Sequence, residues 1–450
     1  MFLNDTIAAL STPPGTGAIA IIRLSGPEAI TIVGKLAPSL PGTVVDRQAT
    51  LAVLHDEEGL VDKGLVTVFR APASYTGENV VEIGVHGSPY VQQRLLMACV
   101  AAGARLARPG EFTLRAFLNR RMDLTQAEAV ADLIASTSAA AHRLALQQLR
   151  GGFGKEIEGL RQRLIDFSAL IELELDFSEE DVEFVKRDEL LDLINQLITI
   201  CTDLINSFSY GNAVRQGVPV AIIGAPNSGK STLLNALLRE DRAIVSEIPG
   251  TTRDTVEESI TIGGVLFRFI DTAGIRNTDD TIEKLGIERS YKKAQEASIV
   301  LLLADASLVK AAELRSQAAT MQERIGSGPQ LIPVLTKSDL PGVEVGSKVM
   351  TISAKTGAGM DELKDAFIEH VQALAHNEGG TVVTNVRHME AIGNARQALH
   401  AARQGITEVI GGELIASDLR RAQHHLGEIT GQITTEDLLG SIFGRFCIGK

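Results

Sequence analysis

The sequence predicts a multidomain chain that joins α/β parts to all-α parts, and three observations carry this. At 450 residues it is longer than one hydrophobic core supports, so roughly two to four domains are expected. With 42 glycines, 4% aromatic residues and no tryptophan, its composition suits α-rich and α/β architecture better than an all-β sandwich. Helical periodicity also flanks a block of alternating strand and helix patterns on both sides, the signature of one domain inserted into another.

Residues 1–118 carry short apolar runs cut by Gly and Pro. "AIAIIRLSG", "LVTVFR" and "NVVEIGVHG" read as strands, and "PYVQQRLLMACVAAG" as a helix closed by Gly103. From "LTQAEAVADLIASTSAAAHRLALQQL" the spacing turns helical, with Thr125 and Glu128 read as a capping box at the helix start. Apolar residues then recur every three or four positions through "IEGLRQRLIDFSALIELEL" and "ELLDLINQLITICTDLINSF", so residues 119–215 are expected to pack as a helical bundle. Residues 216–374 alternate strand and helix patterns and predict a doubly wound sheet. Helices return over 375–450 in "EAIGNARQALHAARQ", "ELIASDLRRAQHHLGEIT" and "TEDLLGSIFGRF", the last with Thr434 and Asp437 as its capping box.

Composition excludes several classes. Net charge is −13, so no global basic field draws the chain to nucleic acid, and any RNA contact needs a local patch or a partner. Three cysteines, Cys99, Cys201 and Cys447, are too sparse for a disulfide framework, which points to a reducing compartment. "MFLNDTIAAL" lacks the basic start of a secretory signal, and no apolar run is long enough to span a bilayer, so a cytoplasmic location away from membranes is expected. The tail "FCIGK" is no prenylation box, because Gly449 and Lys450 fill neither required role.

Chemistry concentrates in the inserted block. "VPVAIIGAPNSGKSTLLNALL" places a strand before, and a helix after, a G-x-x-x-x-G-K-S loop. Glycines let backbone N–H groups curl around phosphate oxygens, the helix start favours the anion, Lys230 reaches the outer phosphates and Ser231 holds magnesium. The bland alternative, a chance glycine-rich turn, does not explain the flanking strand and helix. "LFRFIDTAG" ends a strand on Asp271, Thr272, Ala273 and Gly274. "LIPVLTKSD" presents Thr336, Lys337 and Asp339 in the manner of an Asn-Lys-x-Asp guanine reader, with Thr336 where Asn is usual. "MTISAKTG" supplies Ser353, Ala354 and Lys355 as the supporting loop. An Asp carboxylate matches the paired N–H donors of guanine and not adenine. "IPGTTRDT" fits a switch loop with Thr252 as a second magnesium ligand. The nucleotide is therefore GTP, and Asn227, Ser228, Gly229, Thr232, Ser246, Glu247, Ile248, Pro249, Gly250 and Thr251 complete the expected contact set. Ile275 stands where signalling GTPases carry a water-orienting Gln, so another group must polarise the attacking water.

With these motifs in place, the chain resembles the MnmE (TrmE) family of tRNA modification GTPases over its full length. The resemblance rests on "NDTIAALSTPPGTGAIAIIRLSG", "SYTGENVVEIGVHG", "RPGEFTLRAFLNRRMDLTQAEAVADLI", the GTPase motifs, "LGIERS" and "FCIGK". It implies an N-terminal α/β tetrahydrofolate-binding-like domain that also forms the homodimer, and a P-loop GTPase domain inserted in a helical domain. The implied partners are tRNA and the FAD-dependent MnmG, in a heterotetramer that modifies the wobble uridine 5-position with a one-carbon unit from 5-formyl-tetrahydrofolate or a related folate. Arg23, Glu82, Arg121 and Lys450 are the implied folate contacts, with Arg121 standing where the family has Lys. By residue type alone, Glu82 reads as a solvated strand face and Arg23 as a surface ion pair. Potassium is the implied answer to the missing Gln, bound by Asn227, Ser246, Ile248 and Thr251, with Glu283 orienting water. Cys447 has competing readings, a nucleophile toward the base or a small buried or redox-inert thiol. The rival function is a ribosome-assembly or cargo-delivery switch, and a third is a folate-dependent methyltransferase with a regulatory GTPase.

Overall fold

The computed structural model describes residues 4–41, 44–176, 187–241, 258–270, 291–341, 349–375, 381–408 and 411–450. The chain divides into two compact units. The first is Met1–Ala131, Leu149–Glu158 and Gly427–Lys450; the second is Asp132–Gln148 and Gly159–Leu426.

The first unit is built on a six-stranded sheet ordered β3-β4-β5-β2-β1-β6. Its strands are β1 (Ile7–Leu10), β2 (Ile19–Ser25), β3 (Thr50–Asp56), β4 (Gly59–Phe69), β5 (Val80–His86) and β6 (Arg105–Leu106). The three strands read from sequence are present as β2, the C-terminal half of β4, and β5. β1, β3 and β6 are additional, and two of these are too short to show a period. Alternation along β2 buries Ala20, Ile22 and Leu24 against helices α1 (Ala29–Leu36) and α2 (Pro89–Ala101), together with Ile32, Leu54, Ile83, Leu95 and Cys99. Proline at the first turn starts α2, and Gly103 at φ +119 follows its end, as the sequence indicated. The opposite sheet face carries Arg23, directly across from Glu82.

Helices α3 (Glu111–Leu118) and α4 (Leu124–Ala135) lie in the chain beyond β6. The α4 cap corrects the sequence reading: Asp123 Oδ1 accepts from the Gln126 N–H at 2.9 Å, and the Asp123 N–H donates to Gln126 Oε1 at 3.0 Å. That reciprocal pair is the capping box. Thr125 and Glu128 are instead buried inside the helix, because Met122–Asp123 turns the chain two residues earlier than the S/T-x-x-E template suggests.

The second unit holds a six-stranded sheet ordered β12-β11-β10-β7-β9-β8. Its members are β7 (Val218–Gly224), β8 (Glu258–Ile262), β9 (Val265–Phe269), β10 (Ile299–Asp305), β11 (Gln330–Thr336) and β12 (Met350–Thr351). All pairs are parallel except β8 with β9. Every residue of β10 is buried, as expected for a strand covered on both faces. Helix α8 (Lys230–Asp241) and, further along, α9 (Ala311–Ile325) lie between strands of the sheet, and α10 (Met360–Leu374) follows its last strand. This is the doubly wound sheet the alternating pattern predicted. Because the chain leaves β7 toward β9 and later returns to the other side as β10, the C-terminal end of β7 is a switch point, where α/β sheets bind ligands.

The helices of the second unit include α5 (Ala139–Leu149), most of α6 (Gly152–Asp176), α7 (Arg187–Gln216), α11 (Val386–Thr407) and most of α12 (Gly412–Thr430). α7 lies along α11, with Arg396 donating to Thr202 Oγ1 at 3.4 Å. Helix α13 (Glu436–Phe443) belongs to the first unit, where Ile442 and Phe443 pack on Leu124 and Ala127. Thr435, not Thr434, caps it, accepting from the Leu438 N–H; the register is one residue later than read.

Candidate functional site

The phosphate loop sits at the carboxyl end of β7. Asn227 at φ +63 and Gly229 at φ +88 both adopt the left-handed conformation, which turns successive N–H groups to one side in the manner of an anion nest. Close packing enforces the shape: a Cβ on Gly224 would lie 2.6 Å from Ser228 Oγ and collide with the Leu303 carbonyl. Ser228 Oγ is buried without a partner among the described residues. Lys230 Nζ donates to the Gly224 and Ala225 carbonyls at 2.7 and 2.8 Å, so its ammonium lies over the loop. Burial holds its pKa below the usual lysine value. Ser231 and Thr232 follow in the first turn of α8, whose N-terminus faces the loop.

The guanine-reading segment leaves β11 beside this loop. Thr336 is buried, and its hydroxyl donates to the Ser228 carbonyl at 2.8 Å and to the Ala304 carbonyl at 3.2 Å. The departure from Asn therefore keeps a donor that ties the base-reading strand to the phosphate loop. Lys337, at φ +60, pairs its Nζ with Asp305 Oδ2 at 2.7 Å. Burial would raise Asp305, but Lys337 and Ser307 outweigh it and hold the carboxyl below its ordinary range. Asp339 is exposed and accepts from Ser353 Oγ at 2.7 Å, the main cause of its lowered pKa. The carboxylate is thus kept ionised and oriented, with lone pairs left for N–H donors. Ala354 and Lys355 extend the same supporting loop, and the Lys355 charge adds to the lowering.

Ser246, Glu247, Ile248, Pro249, Gly250, Thr251, Thr252, Asp271, Thr272, Ala273, Gly274 and Glu283 lie outside the described residues.

In the first unit the structure brings Arg23, Glu82 and Lys450 together. Arg23 Nε and Nη2 contact Glu82 Oε1 at 2.9 and 2.8 Å, and Arg23 Nη1 donates to the Gly449 carbonyl at 3.3 Å. Tyr75 and Phe112 flank the guanidinium, at 5.7 and 5.8 Å from their ring centres. Lys450 is half-buried; its pKa is lowered first by burial and then by the Arg23 charge, while Cys447 and Glu82 act in the opposite sense. Arg121 does not join them. It is exposed, with its aliphatic stem beside Gly77. Cys447 is exposed, which excludes a buried thiol and leaves the nucleophilic and redox-inert readings. Cys99 and Cys201 are the buried thiols, pushed up to about 12 and about 11 by burial.

Reasoning from sequence missed Asp305, Ser11, Tyr75, Gly110 and Phe112. Asp305 had a signal, since it closes the apolar strand run "IVLLLAD" inside the nucleotide-binding block. The others had none, because their partners are far away in the chain.

A strand–loop–helix phosphate cradle beside an oriented guanine-reading carboxylate, on a doubly wound sheet, defines a P-loop GTPase. The family model described as the MnmE helical domain matches residues 124–447, and that of the GTP-binding protein TrmE N-terminus matches residues 6–121. The tRNA modification GTPase MnmE of Christiangramia forsetii is 48% identical over 100% of both chains, and that of Flavobacterium psychrophilum is 46% identical over 100% of both. The MnmE protein of Bacteroides fragilis is 47% identical over 99% of this chain and 100% of its own. The chain belongs to the MnmE (TrmE) family. Among the described residues no helix is long and apolar enough to cross a membrane.

Proposed function

We propose that this chain is the potassium-dependent, GTP-hydrolysing subunit of a tRNA wobble-uridine modification complex. It works in the cytoplasm as a homodimer with the FAD-dependent MnmG, in a heterotetramer that installs an aminomethyl or carboxymethylaminomethyl group at the uridine 5-position. The proposal keeps the division at 1–118, 119–215, 216–374 and 375–450, with folate, helical, GTPase and second helical parts. The single observation that supports it most is the convergence of Arg23, Glu82 and the Cys447–Lys450 tail in one unit.

The residues suit a folate. Both Arg23 contacts fall on Glu82 Oε1, so the other carboxylate oxygen can take N–H donors of a pterin. The aromatic-flanked guanidinium and the Lys450 ammonium suit an anionic tail. Bound there, a tetrahydrofolate supplies the one-carbon unit. Glu82 and Arg23 would hold it, and Arg121 would join only by moving from its place beside Gly77. At the nucleotide, Ser231 and Thr252 would hold magnesium. The exposed Asn227 would offer its amide oxygen to potassium, together with Ser246, Ile248 and Thr251. Either cation supplies positive charge toward the phosphates. Lys230 neutralises phosphate charge, Asp339 reads the guanine edge, and Glu283 orients the attacking water.

Mass spectrometry of wobble uridines tests the reading: cells lacking the protein should lose the modification, and unaltered uridines would reject it in favour of a ribosome-assembly or delivery switch. Glu283→Ala should keep GTP binding and lose most hydrolysis. Equal turnover in sodium and potassium buffers would remove the potassium part.

A further inference from the structure

The tail is held by its main chain. Its three gripped carbonyls are those of Cys447, Gly449 and Lys450. The Gly110 N–H donates to the Cys447 carbonyl at 3.4 Å, and the Phe112 N–H to the Lys450 carbonyl at 3.2 Å. Ser11 Oγ and Arg23 Nη1 each donate to the Gly449 carbonyl at 3.3 Å. Within the tail, the Lys450 N–H returns to the Cys447 carbonyl at 3.3 Å. A dock of this kind fixes backbone register and leaves the side chains free for other work.

Two glycines set that register. Gly449 is buried at φ +93, and a Cβ there would collide with the Leu10 carbonyl and approach Ser11 Cα to 3.0 Å. Gly110 caps α3 at φ +66, and its Cβ would lie 2.5 Å from the Phe443 carbonyl, where α13 ends. Both obstacles are backbone, which cannot rotate away. Any side chain at either position must push the tail off β1–β2 or α13 off the start of α3. With both glycines in place, the Cys447 side chain is exposed while Lys450 is half-buried near Arg23 and Glu82.

We propose that Gly110 and Gly449 are positioning residues for the uridine modification, acting through a main-chain dock that presents Cys447 and Lys450 on the Arg23–Glu82 face. The proposal rests on the reading of that face as the modification site. Gly110 is the sharper test because it lies outside the tail.

The experiment compares the parent with Gly110→Ala and Gly449→Ala. Intact-mass measurement of Lys450 removal by carboxypeptidase reports whether the tail is docked. Wobble-uridine mass spectrometry in cells lacking the parent reports modification, and GTP hydrolysis checks the second unit. Both variants should lose Lys450 faster than the parent and lose modification by about a hundredfold, the scale of an ångström of misplacement, with GTP hydrolysis retained. Parent-like trimming in both variants overturns the dock. Faster trimming with full modification overturns the positioning role. A parent that fails to restore modification removes the underlying reading and leaves the trimming result to judge the dock.

Discussion

The nucleotide end of the second unit draws its described groups from adjacent parallel strands, whereas the tail-bearing face of the first unit draws its groups from opposite ends of the chain. Lys230 reaches carbonyls only 5 and 6 positions away. Arg23 reaches the Gly449 carbonyl across 426 positions, and Ser11 does so across 438. The nucleotide site is a loop shape set largely between one strand and one helix, held by neighbouring strands at Leu303 and Thr336. The tail-bearing site exists only when tertiary structure exists. Damage to the buried polar supports of the first unit should therefore abolish its site wholesale, while damage at the nucleotide end should be graded.

The strongest challenge to that contrast is Arg115→Ala. Arg115 is 1% exposed and pairs with Asp5, Glu78 and Glu111. Its loss leaves Glu78 without its cation and Asp5 and Glu111 with Arg105 alone, and should cost the first unit about 3 kcal/mol. Denaturant unfolding should show an early transition while the second unit retains GTP hydrolysis. Loss of both together would erase the contrast. Acid acts on the same network. Burial would raise Glu111, but Arg105, the Arg108 N–H and Arg115 hold it below its ordinary range. Its contribution is present above the unfolded carboxylate pKa and fades as pH falls through the lower folded value. The first unit should thus lose stability on acidification below about pH 4.

A smaller effect is expected at the nucleotide end. Thr336→Val keeps the shape but removes the donor to Ser228 and Ala304, leaving buried acceptors at a cost of about 1–3 kcal/mol. Titration with a fluorescent GTP analogue should show roughly tenfold weaker binding, with the first unit's unfolding unchanged. Unchanged affinity would mean that the two loops are joined by something other than this hydroxyl. Smallest is Asp123→Ala, which removes half of the α4 capping box. It should lower stability by about 1 kcal/mol and leave nucleotide affinity untouched, and a thermal shift assay can resolve it.

The same contrast explains what was legible in the sequence. The phosphate loop, the parallel sheet and Asp339 could be read because each depends on residue types at short fixed spacings. Strand β2 and helix α2 were legible through their period and their Gly and Pro boundaries. The dock was not, because nothing around Gly110 signals a partner at Phe443, and φ +66 is a property of the fold. Resemblance supplied Lys450 and, in place of the family's Lys, Arg121; packing sets Lys450 near Arg23 and Glu82 and the stem of Arg121 beside Gly77. The caps failed for a simpler reason: Asp123–Gln126 and Thr435 satisfy the same hydrogen-bonding rule as the pairs chosen, in a neighbouring register.

The hydrogen bond from Ser11 to Gly449 also has a meaning in time. A chain emerges from the ribosome N-terminus first, so β1 and β2 are made long before the residues that complete their outer face. Every strand of the GTPase sheet must be synthesised in between. The tail contact thus forms only after the whole nucleotide-binding sheet has been made: a chain that stalls between β12 and Gly449 can carry a formed nucleotide loop and an open dock, yet it has no tail to fill it.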